Sequence, residues 1–129
     1  MDIKNKEYIL YGLSKHNEII DKIIADLSAY DDYFDIKVIL TEALTNAFNH
    51  GNKKNIDKPI RLRYTYDGIN IKFEVEDSGK MLKNVIIPDC TSDDNLLENS
   101  GRGFFLMYSL ADKIEISNNA LSIQKKIVQ

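Results

Sequence analysis

Cys90 is the chain's single cysteine, so no internal disulfide can form and no zinc-type pairing of cysteines exists. A reducing compartment suits such a chain. Nowhere do about eighteen apolar residues run together, which excludes a membrane-spanning helix. The N-terminal MDIKNKEYILYGL has no basic segment leading into a long apolar one, so no secretory leader is expected. The location these absences point to is the cytoplasm. Basic charge is not in excess either: 17 Lys and Arg stand against 20 Asp and Glu, a formal net charge of -3. A nucleic-acid binder whose affinity rests on neutralising phosphates is therefore not expected. No internal repeat, low-complexity tract or linker divides the sequence, so residues 1–129 are read as one domain. What is present is the composition of a globular protein, 43% hydrophobic and 29% charged. At this length roughly two-thirds of the unfolded surface can be buried.

Periodicity orders the chain. Lys6 to Leu13 reads as a strand ending near Gly12, and Ser14 offers a side-chain oxygen to cap a helix over Lys15 to Ala29. Ile19, Ile20, Ile23, Ile24 and Leu27 recur at helical spacing on that segment. A second helix, Asp32 to His50, carries Ile36, Ile39, Leu40, Ala43, Leu44 and Ala47, with Gly51 as its expected C-cap. Pro59 opens a strand alternating Ile60, Leu62, Tyr64 and Tyr66. Asp67-Gly68 then signals a hairpin, and the return strand alternates Ile71, Phe73, Val75 and Asp77. Residues 78–103 lose periodicity and read as a long loop, which in a compact domain points to a functional lid. A helix over Phe104 to Asp112, a strand over Ile114 to Ser117 and a last strand over Leu121 to Val128 complete the chain. This order predicts an α+β fold: a two-layer sandwich of helices on one face of a mostly antiparallel sheet.

Chemistry gathers at three places. Glu42, Asn46 and Asn49 fall in one stripe of the second helix, at the edge of its apolar face. Magnesium takes oxygen ligands and keeps several waters, so one Asn oxygen plus nucleotide phosphates would suffice for it. Asn46 is the candidate ligand, and Glu42, one turn earlier, is placed to accept the proton of an attacking hydroxyl. The same pair is also common on the wet side of any amphipathic helix. His50 could reach phosphate, or could simply suit the helix C-terminus. Asp77, at a strand end before Ser78-Gly79, could accept a hydrogen bond from an adenine amino group while Gly79 lets the base approach, or the three residues could form a plain turn. Gly101-Arg102-Gly103 before a helix could set backbone N–H groups and a cation against phosphates, or serve as a hinge.

Taken in order, these segments resemble a known family. Thr41-Glu42-Ala43-Leu44-Thr45-Asn46-Ala47-Phe48-Asn49-His50-Gly51 resembles the N box of the anti-sigma-factor serine/threonine kinases of the GHKL superfamily. Asp77-Ser78-Gly79 resembles their first glycine box. Ser100-Gly101-Arg102-Gly103-Phe104-Phe105-Leu106-Met107, with Ala111-Asp112, resembles the second. The resemblance covers about residues 5 to 128. It implies a Bergerat-type, histidine-kinase-like ATPase fold that binds ATP and Mg2+. It also implies Glu42 as catalytic base, Asn46 on magnesium, Asp77 on adenine, and Gly101, Arg102 and Gly103 closing over the phosphates. Such proteins are homodimeric switches that sequester a sigma factor and phosphorylate an antagonist protein. Asn119-Ala120 departs from the Gly-Thr that relatives often carry before the last strand, which removes a hydroxyl near the adenine. At this length a complete histidine kinase is not expected.

A second function keeps the same nucleotide site: an ATP-gated protein-binding module with little turnover. Glu42 separates the two, because a module that only sequesters has no use for a carboxylate beside the magnesium ligand. The homodimer is expected from Tyr8 and Leu10 on an edge strand and from the apolar stripe Ile19 to Leu27, with Lys15, His16 and Glu18 as candidate partner contacts.

Overall fold

A computed structural model describes residues 4–78, 106–117 and 120–127. Strand β1 (Lys4–Tyr11) leads into helix α1 (His16–Leu27). A short 3-10 turn (Tyr30–Asp32) joins α1 to helix α2 (Tyr33–Asn46), which continues as a π-helical turn (Ala47–Gly51). Strands β2 (Pro59–Tyr66) and β3 (Asn70–Glu76) form a hairpin. Residues 106–110 are helical, and β4 (Lys113–Ser117) and β5 (Ala120–Lys126) follow. The sheet order is β1-β2-β3-β5-β4 with every pair antiparallel. The expected α+β sandwich is what forms.

Alternation in the strands decides which side is core. Leu10, Ile60, Leu62, Tyr64, Ile71, Phe73, Val75, Leu121 and Ile123 turn inward against Ile20, Ile23, Ile24, Leu27, Ile36, Ile39, Leu40 and Leu44 of the helices. The other sheet face is charged: Arg63 reaches Glu7 on β1 at 3.2 Å and Glu76 on β3 at 3.0 Å. Exposed pairs of this kind add little stability but keep that face wet.

Several local expectations are corrected. Ser14 does not cap α1; the N-cap is Lys15, with no side-chain cap bond, and the helix ends at Ser28 in the left-handed region, φ 53. The first strand stops at Tyr11 because Gly12, at φ 76, turns the chain away. The hairpin expected at Asp67-Gly68 does form, with the Asp67 carboxylate accepting hydrogen bonds from the N–H groups of Ile69 and Asn70 and Gly68 at φ 100. Gly51 is not a left-handed C-cap, since the positive-φ residues beyond α2 are Lys53 and Lys54.

The apolar stripe of α1 is not spare surface either. Ile20, Ile23, Ile24 and Leu27 are all buried in the chain's own core, as is Leu10 on β1 with Tyr8 packed against it, so the argument for a dimer loses the support of all of these residues. The expected lid, residues 78–103, falls beyond Ser78 outside the described residues, as does the start of the helix expected from Phe104. One unforeseen polar contact joins distant elements. Lys125 turns inward from β5, donates to the carbonyl oxygen of Leu110 at 2.8 Å and pairs with Asp35 in the first turn of α2 at 3.3 Å.

Candidate functional site

The site is built where α2 runs out. The final turn is wound wider than an α-helix, with the N–H of Asn52 on the carbonyl of Ala47 at 2.8 Å. Such π turns recur at functional positions because they re-aim the last side chains. Here the widened turn brings the backbone of Gly51 flush against Asp77, at the end of β3. A Cβ on Gly51 would lie 2.1 Å from Asp77 Oδ2 and 2.2 Å from its Cγ, closer than any side chain allows. Glycine is therefore required for space, and Asp77 is held 3% exposed against the helix end.

Asn52, the next residue, is wholly buried and uses both ends of its amide. Its Nδ2 donates to the carbonyls of Lys58 (3.0 Å) and Pro59 (3.3 Å), and its Oδ1 accepts from the N–H of Ser78 at 2.7 Å. Ser78 Oγ adds a bond to the Pro59 carbonyl at 2.8 Å. Sequence reasoning missed both the spacing role of Gly51 and Asn52 altogether. An Asn after a Gly reads as turn composition, and nothing in the spacing says that it bridges to Ser78.

Glu42 and Asn46 stand one turn apart on α2 and therefore share a face. Asn46 is 8% exposed, and its Nδ2 has no hydrogen-bond partner among the described residues. A buried amide end left unmet points to a missing partner. The two ends exchange by a half-turn of the side chain, so an oxygen can face the same space. That fits a group coordinated by one Asn oxygen. Among the described residues no three His, Cys, Asp or Glu side chains are grouped to hold a metal, so a magnesium ion here would rely on phosphate and water oxygens. Burial pushes the Glu42 carboxyl above the ordinary glutamate value, which strengthens it as a base. Asn49 is half-buried and His50 exposed in the π turn. The structure thus brings Asp77 against the end of the helix that carries Glu42 and Asn46. Gly79, Gly101, Arg102 and Gly103 lie outside the described residues. Among the described residues no helix is long and apolar enough to cross a membrane.

This constellation can be set beside known proteins. Residues 18–126 match the family described as histidine kinase-like ATPase domain. The chain belongs to that family. It is also similar to proteins named anti-sigma F factor. That of Priestia megaterium is 32% identical over 130 residues, covering 92% of this chain and 87% of the relative. That of Bacillus subtilis is 26% identical over 126 residues, covering 91% and 86%, and that of Anoxybacillus flavithermus 26% over 123 residues, covering 88% and 84%. A histidine kinase-like ATPase domain implies ATP as the nucleotide. In this chain α2 with its π turn and the end of β3 are the elements that carry the segments resembling an N box and a first glycine box.

Proposed function

We propose that this chain is an ATP-dependent anti-sigma factor and serine/threonine protein kinase of the bacterial cytoplasm, which sequesters a sigma factor and phosphorylates its antagonist. The supporting observation is the fit of Gly51 against Asp77 at the end of the helix bearing Glu42 and Asn46. It supports a reading in which Asp77 is the adenine acceptor, Asn46 the metal ligand and Glu42 the base of one nucleotide site. The relatives' name, anti-sigma F factor, supplies the biological setting.

In this reading the Asp77 carboxylate accepts a hydrogen bond from the adenine amino group. Asn46 holds magnesium through its side-chain oxygen, His50 approaches the nucleotide from the π turn, and Gly79, Gly101, Arg102 and Gly103 close around base and phosphates. Magnesium, when bound, offsets charge on the transferring phosphoryl group. Glu42 takes the proton of a serine or threonine hydroxyl as that oxygen bonds to the γ-phosphorus. The bond to the β–γ bridging oxygen breaks and ADP leaves. Lys15 and Glu18 are exposed at the start of α1, and half-buried His16 meets the Leu13 carbonyl through its Nδ1. These three residues are the proposed partner contacts.

The test is transfer from γ-labelled ATP to the cognate antagonist. The reading expects one acid-stable label on a serine or threonine, dependent on magnesium. A folded protein that binds ATP yet leaves the antagonist unlabelled would favour a gated binding module.

A further inference from the structure

The β2–β3 ladder ends two residues short of Ser78. Its last pair is Arg61 with Glu76, and continuing the register by two residues would set Pro59 opposite Ser78. Proline has no N–H, so that pair cannot be completed by backbone alone. Asn52 bridges the two strands at this point by other bonds. Its side-chain oxygen takes the Ser78 N–H at 2.7 Å, and its side-chain nitrogen takes the carbonyls of Lys58 and Pro59 at 3.0 and 3.3 Å. A side-chain amide arriving from the end of α2 is thus wedged between two strands at the point where they would otherwise part. All of its polar capacity is directed at β2, at the peptide following Asp77, and at nothing else described. Asn52 has 0% exposure, so none of these bonds has water as a ready substitute.

From this geometry we infer that Asn52 is the positioning residue for Asp77, and so a determinant of base selectivity. The inference rests on the reading of Asp77 as the adenine acceptor. Asp77 is confined on two sides. Gly51 leaves just enough room for its carboxylate, and Asn52 fixes the peptide on its C-terminal side. Because one residue follows the other in sequence, the end of α2 sets both the wall and the anchor of the same carboxylate. A carboxylate aimed within a few tenths of an ångström can distinguish a base that donates a hydrogen bond from one that presents a carbonyl at that position. A carboxylate free to swing cannot, since the unpaired contact that rejects the wrong base is relieved by movement.

The experiment compares ATP and GTP binding, each with magnesium, by calorimetry for the wild-type chain, Asn52→Ala and Asp77→Asn. The wild type is expected to prefer ATP. Asp77→Asn should lose that preference. Asn52→Ala, at a temperature where circular dichroism shows it folded, should bind ATP about tenfold more weakly while binding GTP unchanged. A merely structural loss would weaken both nucleotides alike and leave their ratio intact, and that result overturns the inference. If Asp77→Asn keeps the preference for ATP, the adenine reading itself fails and the inference falls with it. If only Asn52→Ala keeps it, the inference alone fails. Hydrogen exchange on the wild type guards against a variant that does not fold. The Ser78 amide lies beyond the strand on an exposed residue, yet it should exchange about a hundredfold slower than an unprotected amide. Exchange at the unprotected rate overturns the clamp directly.

Discussion

Glu42 carries the sharpest expectation for a single residue. Glu42→Gln keeps the shape of the side chain but cannot take a proton, so transfer to the antagonist should fall by at least about a hundredfold with ATP affinity within about twofold. The same substitution has a stability signature. Burial raises the Glu42 carboxyl in the folded protein above its ordinary value of 4.5, so its protonated form is the one the fold favours. That contribution is fully present below the ordinary value and is lost as pH rises through the folded value. At pH 7 the charged wild-type side chain is therefore a burden that the amide lacks. Glu42→Gln should melt a few degrees higher than wild type at pH 7, and the gap should close near pH 4. Thermal unfolding at the two pH values checks this, and an equal gap at both would show that ionisation is not involved. Gly51→Ala should fail differently. Its Cβ would sit 2.1 Å from Asp77 Oδ2, so the carboxylate must move. We expect a loss of roughly 1–3 kcal/mol of stability and of most ATP affinity, read by denaturant melts and calorimetry. Wild-type affinity in a folded Gly51→Ala protein would show that the close approach is not needed for the site.

Among the secondary elements, Lys125 is the residue whose removal should be felt furthest away. It pins the carbonyl of Leu110 and the carboxylate of Asp35 from the inward face of β5. Lys125→Met keeps the apolar stem and drops both contacts, so we expect about 1–2 kcal/mol of destabilisation, with faster hydrogen exchange in residues 106–110 than in β2. Uniform loss of protection would mean that the lysine acts on the whole core instead. Why sequence alone gave the elements but not this contact is a matter of range. The strand alternation of Ile60, Leu62, Tyr64 and Tyr66, and of Ile71, Phe73 and Val75, is a local pattern with one reading, and the core has the same members. Helix ends are decided by finer balances. α2 had to stop early because its last turn widens to meet Asp77, a tertiary demand that Gly51 meets without a positive φ. Ser14 looked like a cap because Ser often is one, whereas Lys15 takes that position without any side-chain bond. Glu42, Asn46 and Asp77 were legible as ordered chemical types. Asn52 and Lys125 were not, because their roles lie in contacts across 26 and 15 residues of chain.

For the whole molecule the open question is assembly, and then the nucleotide. β1 ends the sheet, and Ile9 and Tyr11 on it are 49% and 58% exposed. Two copies paired about this edge would cover what one leaves in water, even though the α1 stripe is already spent on the core. Sedimentation equilibrium should therefore show a dimer that dissociates on dilution, and a monomer at the highest concentration would exclude it. Everything proposed about switching depends in turn on the residues at the end of α2 and Asp77 holding ATP. Calorimetric titration of the full chain with ATP and magnesium tests this most directly. The account predicts saturable binding of one ATP per chain, sharply weakened by EDTA and by Asp77→Asn; a folded chain that releases no heat with ATP and magnesium, or that binds ATP equally well with Asp77 replaced, would contradict it.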